Sequence, residues 1–215
     1  MNKHCIIAAV GKNSLHHEWI DKKSRFDLHL IVYDDSYELF KNDCSNVSAQ
    51  KGYKFRLIYE YLSNNPELID QYNYFYMPDD DISINSANIR RLFKYMKIFK
   101  LDAAQPAIGN SYYSHDHTAK NKDFLLRFTN FIEIMQPCFS NDGLKKVLFT
   151  FNESISGWGI DYHWGRILDY RKMNMAVIDD VSSEHTRAVQ SDHHEEMNAY
   201  VEKYSLSFDI YDIKL

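Results

Sequence analysis

Short apolar runs closed by polar turns alternate with amphipathic helical stripes from one end of this chain to the other, and that alternation admits few folds. Runs of the first kind cover residues 5–10, 26–33, 72–77, 103–107, 128–138 and 175–178. Between them, Phe55, Ile58, Tyr59 and Leu62 mark a helix over 52–62, and Ile89, Leu92, Phe93, Met96 and Phe99 mark another over 85–100. Three more stripes follow: Leu144, Val147, Leu148 and Phe151; Ile160, Trp164, Ile167 and Leu168; and Met197, Tyr200, Val201 and Tyr204. The pattern predicts an α/β fold with a mainly parallel central sheet and helices on both faces. At 215 residues it fits one domain over 1–215.

Charge narrows the partners. The formal net charge is −5, and no basic tract interleaved with aromatics runs along the chain, so nucleic acid is not an expected partner. The cations Arg90, Arg91, Lys94 and Lys97 fall opposite the apolar stripe of their helix and read as its solvated side. Cys5, Cys44 and Cys138 are odd in number and widely spaced, which suits a reducing compartment and a cytoplasmic location. The apolar run 5–10 is too short for a signal-peptide core or a membrane span, so any membrane association is expected to be peripheral. The strand-like run 175–178 is followed by an expected turn over 179–184. A long polar loop around 112–122 reads as functional or mobile.

Three consecutive carboxylates, Asp79, Asp80 and Asp81, follow the aromatic run 72–77 and Pro78. Crowded carboxylates repel, and a hard divalent ion relieves that repulsion; Mg²⁺ typically takes one or two carboxylates together with substrate phosphates. The plain alternative is that Asp81 and Ser83 cap the helix beginning near Asn85, although a cap needs one such residue, not three. In Gly157-Trp158-Gly159-Ile160-Asp161, glycines flank a Trp whose face suits a sugar ring, and Asp161 opens the next helix. Asp161 could take a proton from a hydroxyl or serve as a first-turn carboxylate. His185 is a metal-ligand type in a position that reads as a loop. His16-His17, His115 with His117, and His193-His194-Glu195-Glu196 lie in polar stretches without a Cys or Asp set at ligand spacing, so no dedicated zinc site is expected there.

The order of Asp79-Asp80-Asp81, helix, Gly157-Trp158-Gly159-x-Asp161 and His185 resembles GT-A-fold glycosyltransferases. More closely, it resembles a family catalogued as a domain of unknown function and grouped with those enzymes. Residues 8–12, 14–19, 26–28, 33–35, 105–107 and the stretch Phe131-Ile132-Glu133-Ile134-Met135-x-Pro137 add to the likeness, which spans about residues 4 to 187. The resemblance implies a Mn²⁺ or Mg²⁺ ion held by Asp81 and His185, with Asp79 reaching the ribose or a metal-bound water. It places Val10, Gly11, Asp34, Asp35 and Asp80 on the nucleotide-sugar donor, with Lys51 or Lys54 toward phosphate. Asp161 falls near the acceptor as the catalytic carboxylate, and Trp158, Gly159 and Glu133 belong to that side. A donor half over about 1–110, an acceptor half over about 111–190 and a tail over about 191–215 follow. Many galactosyltransferases of this fold carry Glu where this chain has Ile160. The expected activity is transfer from a UDP-sugar to a glycan or glycolipid hydroxyl. The alternatives are a metal-dependent phosphodiesterase or other hydrolase, and a non-catalytic glycan-binding module.

Overall fold

The computed structural model describes residues 2–109, 111–188 and 192–213. Strand β1 (His4–Val10) pairs in parallel with β2 (Asp27–Val32) on one side and β4 (Tyr74–Tyr76) on the other, and β3 (Asn46–Ala49) extends the β2 edge. Beyond β4 the sheet is mixed. Strand β8 (Cys138–Ser140) runs antiparallel between β4 and β6 (Ala103–Ile108), and β6 pairs in parallel with β9 (Met175–His185). The short β5 (Ile82–Ser83) and β7 (Arg127–Phe128) both lie antiparallel to β9. The order is β3-β2-β1-β4-β8-β6-β9-β5, with β8, β5 and β7 running against the other strands.

Helices cover both faces because the pleat sends alternate side chains to opposite sides. From β1, Ile6, Ala8 and Val10 enter one core with Trp19 of α1 (His16–Trp19) and with Ile89, Leu92, Phe93 and Met96 of α5 (Ser86–Ile98). Cys5, Ile7 and Ala9 enter the other, with Phe55, Ile58 and Leu62 of α3 (Lys54–Asn64), Leu144 and Val147 of α6 (Asn141–Val147), Trp164 of α7 (Asp161–Leu168) and Tyr200 of α8 (His194–Lys203). Two short helices, α2 (Tyr37–Phe40) and α4 (Glu67–Gln71), complete the set. Arg91, Lys94 and Lys97 are exposed as their spacing predicts, with Arg91 bridging to Asp180 and the half-buried Arg90 to Asp21. All three cysteines are free.

Two sequence expectations need correction. The run 128–138 is not one strand: β7 ends at Phe128, β8 begins at Cys138, and the chain between is irregular. Several of its backbone groups find individual partners. The Glu133 amide donates to Gln105 Oε1 at 2.7 Å, the Met135 carbonyl accepts from the Asp79 amide at 2.8 Å, and the Pro137 carbonyl accepts from the Met77 amide at 2.8 Å. Nor do residues 179–184 form a turn, because β9 continues to His185 across a bulge. Its register with β6 jumps from Pro106↔Ile178 to Ala107↔Ser182. Pro106 has no N–H to give the ladder, which favours an interruption there.

The bulge carries Asp179, fully buried, onto Arg127, which is 9% exposed at its side chain. The guanidinium donates to both carboxylate oxygens at 2.9 and 3.0 Å and also to the carbonyls of His117 and Ala119, each at 2.9 Å. Asp179 further accepts from the Asn121 amide at 2.7 Å. The polar loop around 112–122 is thus tied to the sheet by a buried ion pair. Removing one member of such a pair strands the other charge at a cost of about 3–5 kcal/mol. Arg127→Ala is therefore expected to lower the unfolding free energy by that amount, read as a urea midpoint lowered by the free energy divided by an unchanged m value.

Candidate functional site

Parallel strands β1, β2 and β4 end on one edge of the sheet, where open α/β sheets collect ligands. The acidic triplet leaves the end of β4 there. Capping does not explain it: the side chain of Asn85 caps α5 by accepting the Asn88 amide at 2.9 Å. Each carboxylate has its own setting. Asp80 is buried, accepting the Gly11 amide at 2.8 Å and the Tyr33 hydroxyl at 2.7 Å, and it ties the turn after β1 to the triplet. Asp79 is 38% exposed at its side chain and receives Lys54 Nζ at 2.8 Å. Partial removal from solvent lifts its pKa, and Lys54 acts against that rise.

Asp81 meets His185. Strand β5, which directly follows the triplet, pairs with the end of β9 so that Ile82 lies opposite His185. His185 Nε2 then stands 3.3 Å from Asp81 Oδ2. Burial works against charge on His185, but the Asp81 carboxylate outweighs it and raises the imidazole above its ordinary pKa. Asp81 is held below the usual carboxylate range: its own burial is outweighed by His185 and then Arg187. Arg187 Nε donates to Asp81 Oδ2 at 3.1 Å, while its other end reaches Asp80.

A divalent ion fits these groups. Asp81 Oδ1 is buried without a hydrogen-bond partner among the described residues. His185 Nδ1 faces the Tyr112 carbonyl at 3.2 Å, the outer contact that fixes a ligating imidazole with Nε2 forward. Cationic Arg187 meanwhile offsets the negative oxygens.

Two more carboxylates are buried nearby, and one of them feels the charges of His185 and Asp79. Asp161 is buried at the start of α7, accepting the Tyr162 amide at 3.1 Å and the Ile134 amide at 3.4 Å. Burial pushes its pKa up to about 7 despite those donors. Glu133 is likewise buried, and its Oε2 lacks a partner among the described residues. Its pKa rises to about 7, first from burial and then from the Asp161 charge, with His185 and Asp79 also bearing on it. The irregular segment after β7 brings Glu133 to this place. Paired carboxyls poised near neutrality are a common arrangement in proton-transfer sites.

The remaining residues singled out by sequence have varied settings. Asp34, Asp35 and Lys51 line a cavity of about 420 Å³ with Val32, Tyr37, Ala49 and Gln50, beside the ends of β2 and β3. Val10 is fully buried in the core, so its contribution to that edge is through the backbone. Lys54 is committed inward, to Asp79 and to the carbonyls of Ile134 and Met135 at 2.7 and 3.0 Å. Gly157 and Gly159 have φ of +88° and +94°, as the reading of a glycine-flanked turn requires. Trp158 is half-buried, its ring edge-on to His193 and His194. Gly159 lies against the backbone of α8, where a Cβ would stand 3.2 Å from the Met197 carbonyl.

Sequence reasoning passed over Arg187 as a site residue. It lies two positions beyond His185, the spacing that keeps side chains on one side of an extended chain, and that signal was available.

No protein-family profile matches the chain, and no curated protein does. Solved structures do. A protein of Desulfovibrio desulfuricans G20 described as a nucleotide-diphospho-sugar transferase aligns over 86% of this chain and 84% of its own, at 14% identity and a TM-score of 0.50. Staphylococcus aureus TarS 1-349, in complex with UDP-GlcNAc, aligns over 92% of this chain and 61% of its own, at 11% identity and a TM-score of 0.57. A longer S. aureus TarS structure gives a TM-score of 0.59 over 96% of this chain and 40% of its own, at 14% identity. At such identities the likeness is one of fold: the chain has the curled, mostly parallel α/β architecture of nucleotide-sugar transferase structures, and it spans well under two thirds of TarS.

Proposed function

We propose that the chain is a metal-dependent glycosyltransferase that moves a sugar from a nucleotide diphosphate sugar, a UDP-sugar, to a hydroxyl of a glycan or glycolipid. The observation that carries this reading is the buried Asp81 Oδ1, without a hydrogen-bond partner among the described residues, beside His185 at the sheet edge where β1, β2 and β4 end. Asp81 and His185 would hold Mn²⁺ or Mg²⁺, with Asp79 beside them. When bound, that ion would supply Lewis-acid stabilisation of the charge that grows on the departing diphosphate. Arg187, already beside Asp80 and Asp81, would lend a second positive charge to the same phosphates. The cavity of Asp34, Asp35 and Lys51 is a place for the base and ribose. Asp161 would accept the acceptor hydroxyl's proton, and Glu133 would orient that hydroxyl. Trp158 would act from the rim of the acceptor side.

Hydrolysis remains the second enzymatic reading, since the same carboxylates could serve water as the acceptor. A two-ion hydrolase needs a second ligand set beside the triplet, and Lys54 and Arg187 already lie against these carboxylates. No helix among the described residues is long and apolar enough to cross a membrane. A cytoplasmic enzyme that reaches a lipid-linked acceptor from the membrane surface is the setting we propose.

The test is thermal unfolding with a panel of nucleotide sugars, with and without Mn²⁺. A ligand at 100 times its Kd stabilises the folded state by about 2.7 kcal/mol. We expect a UDP-sugar to raise the Tm only when Mn²⁺ is present. If no nucleotide sugar moves the Tm, the assignment fails.

A further inference from the structure

The histidine pair His16-His17 acquires in three dimensions the partner it lacks in sequence. Asp43, in the turn between α2 and β3, sits beneath both rings: His16 Nε2 is 3.0 Å and His17 Nε2 3.7 Å from Asp43 Oδ2. One ligand atom from each residue lies within 4.8 Å of the other two. A tetrahedral zinc ion with bonds of about 2.0–2.1 Å holds its ligand atoms roughly 3.3 Å apart, between the two measured separations. We propose that His16, His17 and Asp43 form a second metal site, for a transition ion such as Zn²⁺, with its fourth position open to solvent.

The surroundings suit such a site. His16 is fully buried, and its Nδ1 lies 2.9 Å from Ser14 Oγ, so the ring is fixed with Nε2 toward Asp43. Phe40 closes the site edge-on at 4.8 Å from the His16 ring. His17 is 60% exposed and Asp43 22%, so water and an entering ion can reach the third face. Two neutral imidazoles and one carboxylate carry a single negative charge, and the imidazoles are the groups within ion-pair distance of Asp43 among the described residues. Nitrogen ligands favour Zn²⁺ over the hard ions suited to Asp79 and Asp81.

Occupancy would have a local effect. Helix α1 follows the turn that the triplet grips through the Gly11 amide on Asp80 Oδ2 and the Leu15 amide on the Asp80 carbonyl, both at 2.8 Å. An ion at His16, His17 and Asp43 joins α1 to the turn after α2, whose Tyr37 lines the cavity of Asp34 and Asp35. The site does not depend on the transferase reading.

Calorimetric titration of Zn²⁺ into the Asp81→Asn protein separates the two locations. One equivalent is expected to bind, and adding His17→Ala or Asp43→Asn is expected to weaken that binding at least tenfold. The exposed His17 allows its variant to melt, without metal, at the parent temperature, which checks the fold. Absence of Zn²⁺ uptake by the Asp81→Asn protein, or equal affinity after His17→Ala, overturns the proposal.

Discussion

Asp81→Asn is expected to abolish Mn²⁺-dependent binding of a UDP-sugar in isothermal titration calorimetry. The substitution keeps the shape of the side chain but removes the charge that its buried Oδ1 would bring to an ion. Changes in the groups that merely orient metal ligands typically cost about 10–100-fold in affinity, so loss of a ligand is expected to reach at least about a hundredfold. Asn can still accept from Arg187 through its carbonyl oxygen, so the fold should persist. Wild-type affinity in this variant would remove Asp81 from the site.

Asp161→Asn should separate donor binding from turnover. Donor affinity is expected to survive, because Asp161 is held by the Ile134 and Tyr162 amides and is not one of the proposed ion's ligands, while kcat falls by about 10²–10⁴, the usual contribution of general acid–base catalysis. If both fall together, Asp161 has no acceptor-side role. The pH dependence follows from its pKa of about 7. A base must be deprotonated to act, so activity should rise with pH through about 7, modified by the coupled Glu133. Stability should run the other way. Between the unfolded carboxyl pKa of about 4 and the folded value of about 7, the native chain keeps a proton that the unfolded chain has released, so stability falls as pH rises through that window. Asn has no proton to release, and urea unfolding across that range should show a shallower decline in the variant.

The parts of the site that residue type and local spacing announce were legible in sequence. Three adjacent carboxylates after a short aromatic strand, and a Trp between two glycines, carry their chemistry in a few consecutive positions. The pairing of His185 with Asp81 was not derivable from local pattern, because it depends on the antiparallel register of β5 and β9. Family resemblance named both residues without supplying that geometry. Residues 128–138 misled for a physical reason: Phe131, Ile132 and Met135 are buried as strand residues would be, yet the backbone there is held by Gln105, Lys54 and the amides around the triplet. Periodicity reports burial, and burial alone does not say where the backbone hydrogen bonds go. Asp43 was unreadable as a partner of His16 and His17 for the same reason that tertiary contacts always are: its proximity is set by the docking of α1 beside the α2–β3 turn.

The interruption in β9 works as a spacer. Upstream of it the strand is registered by β6, and downstream His185 must arrive beside Asp81. Lengthening residues 179–181 by one would bring Glu184 to that place, setting a fourth acid against the triplet where an imidazole now stands. The length of a three-residue detour thus decides whether this edge of the sheet welcomes a cation or merely accumulates negative charge.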